Sequence, residues 1–175
     1  MNDQAGVRLD HILADRELLV DPERGYVSRR LFSDERLYEL ELERIFHRCW
    51  LFVGHETMVP EPGSYLSNYM GEDPIILWRD SSSKLHVFLN SCTHRGNKLC
   101  MFDSGCAQTF TCSYHGWSFD SEGQLTGVPF FEQAYEGELP KERFGLLEAA
   151  RLQSYGGLLF ASWNPDVEPL DQFLG

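Results

Sequence analysis

The chain is short of positive charge. Its 15 Lys and Arg face 27 Asp and Glu, a formal net charge of −12 at pH 7. That balance argues against nucleic acid and against an anionic membrane surface as partners, because both call for a basic face. Long apolar runs are missing too. No stretch reaches the roughly 18 residues of a membrane-crossing helix, so no membrane association is expected. The N-terminal segment MNDQAGVRLDHILADRELL is acidic and has no hydrophobic signal core. Cysteine is sparse and odd in number: Cys49, Cys92, Cys100, Cys106 and Cys112. Without a secretion signal, such a set reads as reduced thiols in a cytoplasmic protein. What remains is enough for a core: 42% hydrophobic and 13% aromatic residues in 175, about one domain.

Two of the cysteines sit beside histidines. Cys92-Thr93-His94 and Cys112-Ser113-Tyr114-His115 form C-x-H, then seventeen residues, then C-x-x-H. Each half offers one thiolate and one imidazole from a short loop. A single tetrahedral ion is usually caged by like pairs, C-x-x-C on one side and H-x₃₋₅-H on the other. Two mixed loops better suit a centre with two different irons, one taking both thiolates and the other both imidazoles. A [2Fe–2S] cluster of the Rieske type is held in this way. Gly96 and Gly116 follow the two histidines and permit a sharp turn with close backbone approach. Backbone N–H groups in such loops point at cluster sulfurs and help set the potential. Cys100 and Cys106 lie between the loops as rival ligands, but are read as buried or half-buried free thiols. His47, His55 and His86 are read as surface or satisfied-core residues.

The rest of the chain predicts a mainly β fold preceded by an arm and a helix. Residues 1 to about 32 are polar, are broken by Pro22 and Gly25, and have room for one short helix around His11 to Leu19. Ser33 is a plausible N-cap, with Asp34 and Glu35 in the first turn. Tyr38, Leu42, Ile45, Phe46 and Cys49 recur at helical spacing and predict one helix from about Asp34 to Arg48. From Trp50 the pattern shortens to strands between turn signals. The expected strands are Trp50–Gly54, Ser64–Met70, Pro74–Trp78, Leu85–Asn90, Thr109–Cys112, Trp117–Phe119, Leu147–Gln153 and Leu158–Trp163. Short antiparallel sheets follow, with both Cys/His loops at strand ends. Val128 to Phe144 shows no clear period and is expected to be a long loop covering one side. Trp117 is expected to pack the centre against solvent, and Arg95 to shield it, contact a partner or form a plain salt bridge. The expected division is 1–48 for arm and helix, 49–165 for the metal-binding domain, and 166–175 for the start of a connection.

The stretches CTHRGN (92–97) and CSYHGW (112–117) resemble the Rieske loops of the large (α) subunits of aromatic-ring-hydroxylating dioxygenases. The resemblance runs from about Arg30 to the C-terminus, through LYELELERIFHRCW (37–50), Gly71-Glu72-Asp73 and YGGLLFASW (155–163). Ser113 departs from it, since many relatives have Pro there. The resemblance implies a Rieske [2Fe–2S] fold, with Cys92 and Cys112 on the inner iron and His94 and His115 on the outer, redox-active one. It implies an oxidoreductase acting with O₂ and NADH in aromatic hydrocarbon catabolism. A ferredoxin or reductase would deliver electrons, and the cluster would pass them to a mononuclear non-haem iron. That second iron, Fe(II) on two His and one carboxylate, belongs to a catalytic domain whose residues are not in this sequence. The fragment alone is therefore expected to relay electrons without oxidising a ring. An α-subunit homotrimer, with β subunits, is the implied assembly.

Two rivals are carried forward. One is a free-standing Rieske ferredoxin, against which stands the long arm and helix ahead of the β-domain. The other is a structural zinc module with no redox role. Rieske proteins of respiratory complexes also resemble the motif, but carry a loop disulfide at the positions of Asn97 and Tyr114. They place Ser and Tyr hydroxyls where this chain has Trp117 and Phe119. Fewer hydroxyl donors to sulfur predict a midpoint potential near the low end of the Rieske range, about −150 mV. A redox titration checks this, and a clearly positive midpoint contradicts it.

Overall fold

The computed structural model describes residues 19–175, so the short helix expected around His11 to Leu19 lies outside the described residues apart from Leu19. The chain divides into two units, Met1–Ile45 and Phe46–Gly175.

In the first unit, β1 (Val20–Asp21) and β2 (Tyr26–Val27) pair antiparallel. A 3-10 turn at Arg29–Phe32 leads to helix α1 (Glu35–Glu41). The cap is one residue later than expected. The Asp34 carboxylate accepts from the Arg36 N–H at 3.1 Å, while the Ser33 N–H closes the preceding turn on Arg30. A hydrogen bond from the Arg30 guanidinium, at 3.3 Å, holds the Asp34 carboxyl below its ordinary range. A charged acceptor here outcompetes the hydroxyl. The helix also changes pitch. Leu42–Phe46 is π-helical, so the single helix expected to reach Arg48 loses its register after Glu41. Tyr38 and Ile45, expected on a buried face, are both more than 40% exposed.

The second unit is built from ten short strands. They are β3 (Leu51–His55), β4 (Ser64–Met70), β5 (Asp73–Arg79), β6 (Leu85–Leu89), β7 (Ser104–Cys106), β8 (Thr109–Thr111), β9 (Ser118–Asp120), β10 (Leu125–Gly127), β11 (Arg151–Tyr155) and β12 (Leu158–Ser162). Two short helices are added, α2 (Phe131–Tyr135) and α3 (Leu170–Leu174). Three antiparallel sheets result, in the orders β6-β5-β4-β7, β11-β12-β3 and β10-β9-β8. All eight expected strands are present. The strands β7 and β10 were not expected: with a glycine each and no aromatic residue, they lack the strand-favouring phenylalanine at the centre of the equally short β8 and β9. The expected Leu147–Gln153 strand is divided. Glu148 bridges to Phe88, and Ala149 N–H donates to Val87, before β11 starts at Arg151.

The four-stranded sheet is the wall between two cores. Along β5 the side chains alternate in direction. Ile75 and Leu77 enter one core with Val53, Met70 and Leu159, on the side of β3 and β12. Ile76 and Trp78 enter the other, which holds Cys92, Cys112 and Trp117. All four β5 residues are fully buried, so this strand is apolar on both faces. The long segment expected as a loop, 128–144, contains α2 and a 3-10 turn at Lys141–Arg143. Its Val128, Tyr135, Leu139 and Phe144 pack on the second core. In the same unit Trp50 Nε1 donates to the Glu168 carbonyl at 2.7 Å, and Leu170 is buried.

His86 is a satisfied core residue, as expected. Its Nε2 lies 3.1 Å from Asp80 Oδ2 and its Nδ1 lies 2.7 Å from Glu148 Oε1. Burial pushes the Asp80 carboxyl up, but bonds from Ser82, His86 and the Lys84 and Ser82 N–H groups win and lower it to about 2. Its ordinary value is 3.8. A depressed folded value means stabilisation present above about pH 4 and lost as the pH falls through about 2. Asp80→Asn is expected to remove about 2 kcal/mol at neutral pH and to flatten the acid limb of stability. Urea midpoints measured from pH 7 to pH 2 on both proteins check this.

Candidate metal centre

Both Cys/His loops are built the same way. In the first, Cys92 N–H donates to Asn97 O at 2.8 Å and Gly96 N–H donates to Cys92 O at 2.8 Å. In the second, Cys112 N–H donates to Trp117 O at 2.7 Å and Gly116 N–H donates to Cys112 O at 2.9 Å. Each loop thus closes on the backbone of its own cysteine. The turn needs a left-handed residue four positions on, and Gly96 (φ 73°) and Gly116 (φ 75°) supply it. Asn90, at 2% exposure, anchors the exit of the first loop. Its Oδ1 accepts from the N–H groups of Leu99 and Cys100, and its Nδ2 donates to Cys100 O.

The four singled-out side chains fall into two adjoining pairs. Cys92 and Cys112 are both buried, and their thiols lie close enough to perturb each other, Cys112 pushing Cys92 up and Cys92 pulling Cys112 down. The imidazoles of His94 and His115 meet edge to face with ring centroids 4.7 Å apart. Burial pushes both thiols up. For Cys112 the N–H groups of Tyr114 and His115, the Cys92 thiol and the Asn97 amide outweigh burial, and the net shift is down. For Cys92 burial and the neighbouring Cys112 prevail, and the shift is up. Burial, then the charges of His115 and Arg95, push His94 down, so its imidazole is held neutral. A neutral imidazole and a stabilised thiolate are the forms that bind metal.

The donor set fits an iron–sulfur core on a further count. His94 Nδ1 is buried without a hydrogen-bond partner. An orphaned ring nitrogen in a polar cluster marks a position that a metal would satisfy. Among the described residues, no group of three or more His, Cys, Asp or Glu is placed to hold a single ion. The pairing of sulfur with sulfur and nitrogen with nitrogen suits a two-iron core instead.

The surroundings exclude water on one side. Trp117, 2% exposed, stacks on His94 at 4.6 Å and 11°. Tyr135 and Phe144 from the 128–144 segment meet Trp117 edge-on at 6.3 and 5.6 Å. The same segment grips both loops. Thr93 Oγ1 donates to Phe144 O at 2.7 Å, and Pro129 lies against Gly116. On the other side Tyr114 lies over His115 at 3.7 Å and is 60% exposed. Arg95 makes no ion pair among the described residues.

The other candidates lie elsewhere. His47 is 3.4 Å from Asp73, and His55 bonds Thr57 at its own turn. Cys100 is a buried free thiol tied to Phe102 O and Ser67, while Cys106 is exposed, against the expectation that it is at least half-buried. All three residues of its strand β7, at the edge of the four-stranded sheet, are exposed. Asn90, Asn97 and Pro129 were not read as site residues from sequence. An Asn flanking a loop is a recognisable sign of side-chain-to-backbone bonding. Pro129 lies too far along the chain to give such a sign.

Fold and site together define a Rieske iron–sulfur domain. Residues 49–155 match the Rieske [2Fe–2S] domain family, and the chain belongs to that family. Within it, the chain corresponds to the Rieske portion of ring-hydroxylating dioxygenase α subunits. It is 51% identical over 162 residues to the biphenyl 2,3-dioxygenase subunit alpha of Rhodococcus jostii RHA1, covering 93% of this chain and 35% of that one. It is 45% identical to a benzene 1,2-dioxygenase subunit alpha of Pseudomonas putida, over 91% of this chain and 35% of that one. Naphthalene 1,2-dioxygenase from Rhodococcus sp., solved with indole bound, superimposes with a TM-score of 0.81 at 38% identity, covering 85% and 34% of the two chains. The chain thus spans about a third of the length of the curated relatives it matches. A quaternary ammonium Rieske monooxygenase, 26% identical with a TM-score of 0.75, is described as transferring electrons between subunits.

A side chain at Gly116 would have to adopt the left-handed backbone and place its Cβ 2.8 Å from Pro129 Cγ. Gly116→Ala is expected to cost about 1–3 kcal/mol and to lower the iron bound per chain. Thermal unfolding and iron analysis against wild type check it.

Proposed function

We propose that Cys92, Cys112, His94 and His115 hold a Rieske [2Fe–2S] cluster that relays electrons within a ring-hydroxylating dioxygenase. The observation that carries this is the adjacency of a thiol pair and an imidazole pair on two loops of one backbone design. When bound, the cluster supplies a site that takes up and releases one electron.

The chain's own residues set the conditions for that exchange. N–H groups of His94 and Arg95 point at the Cys92 sulfur, and those of Tyr114 and His115 at the Cys112 sulfur. These dipoles stabilise thiolate charge and make the reduced state less costly. Trp117, Tyr135 and Phe144 keep water from the His94 side. The His115 side lies beneath the exposed Tyr114. We place the route of electron entry and exit on this thinner side.

The reading extends to the whole protein as follows. A ferredoxin or reductase passes electrons derived from NADH to this domain. The domain hands them to a mononuclear non-haem iron, in an α-subunit homotrimer that also binds β subunits, and O₂ is inserted into an aromatic ring. The names of the relatives and the inter-subunit transfer described for the monooxygenase support this. Five unbridged cysteines support a reducing, cytoplasmic setting. No described helix is long and apolar enough to cross a membrane.

Metal and sulfide analysis of the purified chain tests the proposal. Two irons and two acid-labile sulfides per chain, with a red-brown colour, are expected. One zinc per chain in a colourless protein would replace the electron relay with a structural zinc module.

A further inference from the structure

Asn97 is the last residue of the first loop, and its carbonyl accepts the bond that closes that loop. Its side chain has a separate job. The amide carries two hydrogens. Nδ2 lies 2.9 Å from Lys98 O, which takes one of them. The other side of Nδ2 faces the second loop, 3.7 Å from Cys112 Sγ and 3.5 Å from Ser113 Oγ. The side chain is half-buried, so the bond to sulfur is partly sheltered from water. Cys112 therefore receives a side-chain donor in addition to its two backbone N–H donors, and Cys92 has no side-chain amide of this kind.

We propose that Asn97 is a positioning residue for the cluster, its amide clasping the first loop to the second and donating to Cys112 Sγ so as to raise the midpoint potential. The inference rests on the cluster proposed above. The physics has a fixed sign. Reduction adds negative charge to the iron–sulfur core and its thiolates. An N–H donor to a thiolate binds the more negative state more strongly, so it favours reduction. Leu at 97 has nearly the same shape and no donor. It leaves the backbone bond from Cys92 N–H to the carbonyl of residue 97 intact.

The experiment uses the purified, iron-loaded chain. Iron and sulfide are first counted in wild type, and the midpoint potentials of wild type and N97L are then measured by dye-mediated redox titration. A lower midpoint in N97L at equal iron content is expected. Wild type labelled with ¹⁵N at the asparagine side-chain amide is expected to show a weak nitrogen coupling to the reduced cluster in pulsed EPR. That measurement decides the matter even if N97L fails to retain iron. An unchanged or higher midpoint in loaded N97L, or no ¹⁵N coupling in loaded wild type, overturns the role of Asn97 and leaves the cluster standing. Wild type that binds no iron and sulfide overturns both.

Discussion

Everything in the metal-binding half depends on two loops that each fold back on their own cysteine. The N–H of Cys92 and of Cys112 is taken up by the carbonyl five residues on, and the carbonyl of each cysteine accepts from the glycine four residues on. With both backbone groups of the cysteine satisfied locally, the following N–H groups are free to turn inward at the thiol. The sulfur is thus met by dipoles before any metal arrives. A loop that left those groups to water would lose much of that effect, because bulk solvent screens it.

Loops this short cannot hold their mutual position alone. That task falls to the four-stranded sheet, whose β5 is apolar on both faces, and to the 128–144 segment. The sheet gives the first loop a rigid departure point after β6, where Asn90 locks the chain with three bonds. The segment from Val128 to Phe144 ties Thr93 on one loop and rests Pro129 on the glycine of the other. Trp117 joins the two systems, stacking on His94 while packing against Tyr135 and Phe144. Site and core are here the same set of contacts, since Cys92, Cys112 and Trp117 belong to the hydrophobic cluster of Trp78 and Phe88.

Much of this was legible in the chain. The strands with strong alternation or dense apolar content, such as Ser64–Met70 and Leu85–Leu89, were readable because their period needs only local information. The strands β7 (SGC) and β10 (LTG) were not, although the equally short β8 (TFT) and β9 (SFD) were, because each carries a glycine and no aromatic residue, and pairing with a neighbour is what makes them strands. The N-cap moved from Ser33 to Asp34, whose carboxylate is also paired with the sequence-local Arg30, because the 3-10 turn at Arg29–Phe32 takes up the Ser33 N–H and its hydroxyl, which donates to Arg29 O. The helix changed pitch at Leu42 although its apolar spacing continued, since spacing reports a face and not the hydrogen bonds beneath it. Asn97 was noticed as a position and not as a donor, because its partner Cys112 is fifteen residues away in sequence.

By itself the sequence set the chemistry of the candidate donors. Two Cys and two His in mixed, glycine-turned loops restrict the choice of metal through ligand type and spacing alone. It also determined the β character of the domain and its acidic surface. Only the tertiary structure decided which donors adjoin, thiol with thiol and imidazole with imidazole. The fold likewise decided that His94 Nδ1 is buried with no partner of its own, and which side of the site is walled from water. The reason is physical: ligand identity is a property of side chains, whereas adjacency and burial are properties of packing between segments far apart in the chain.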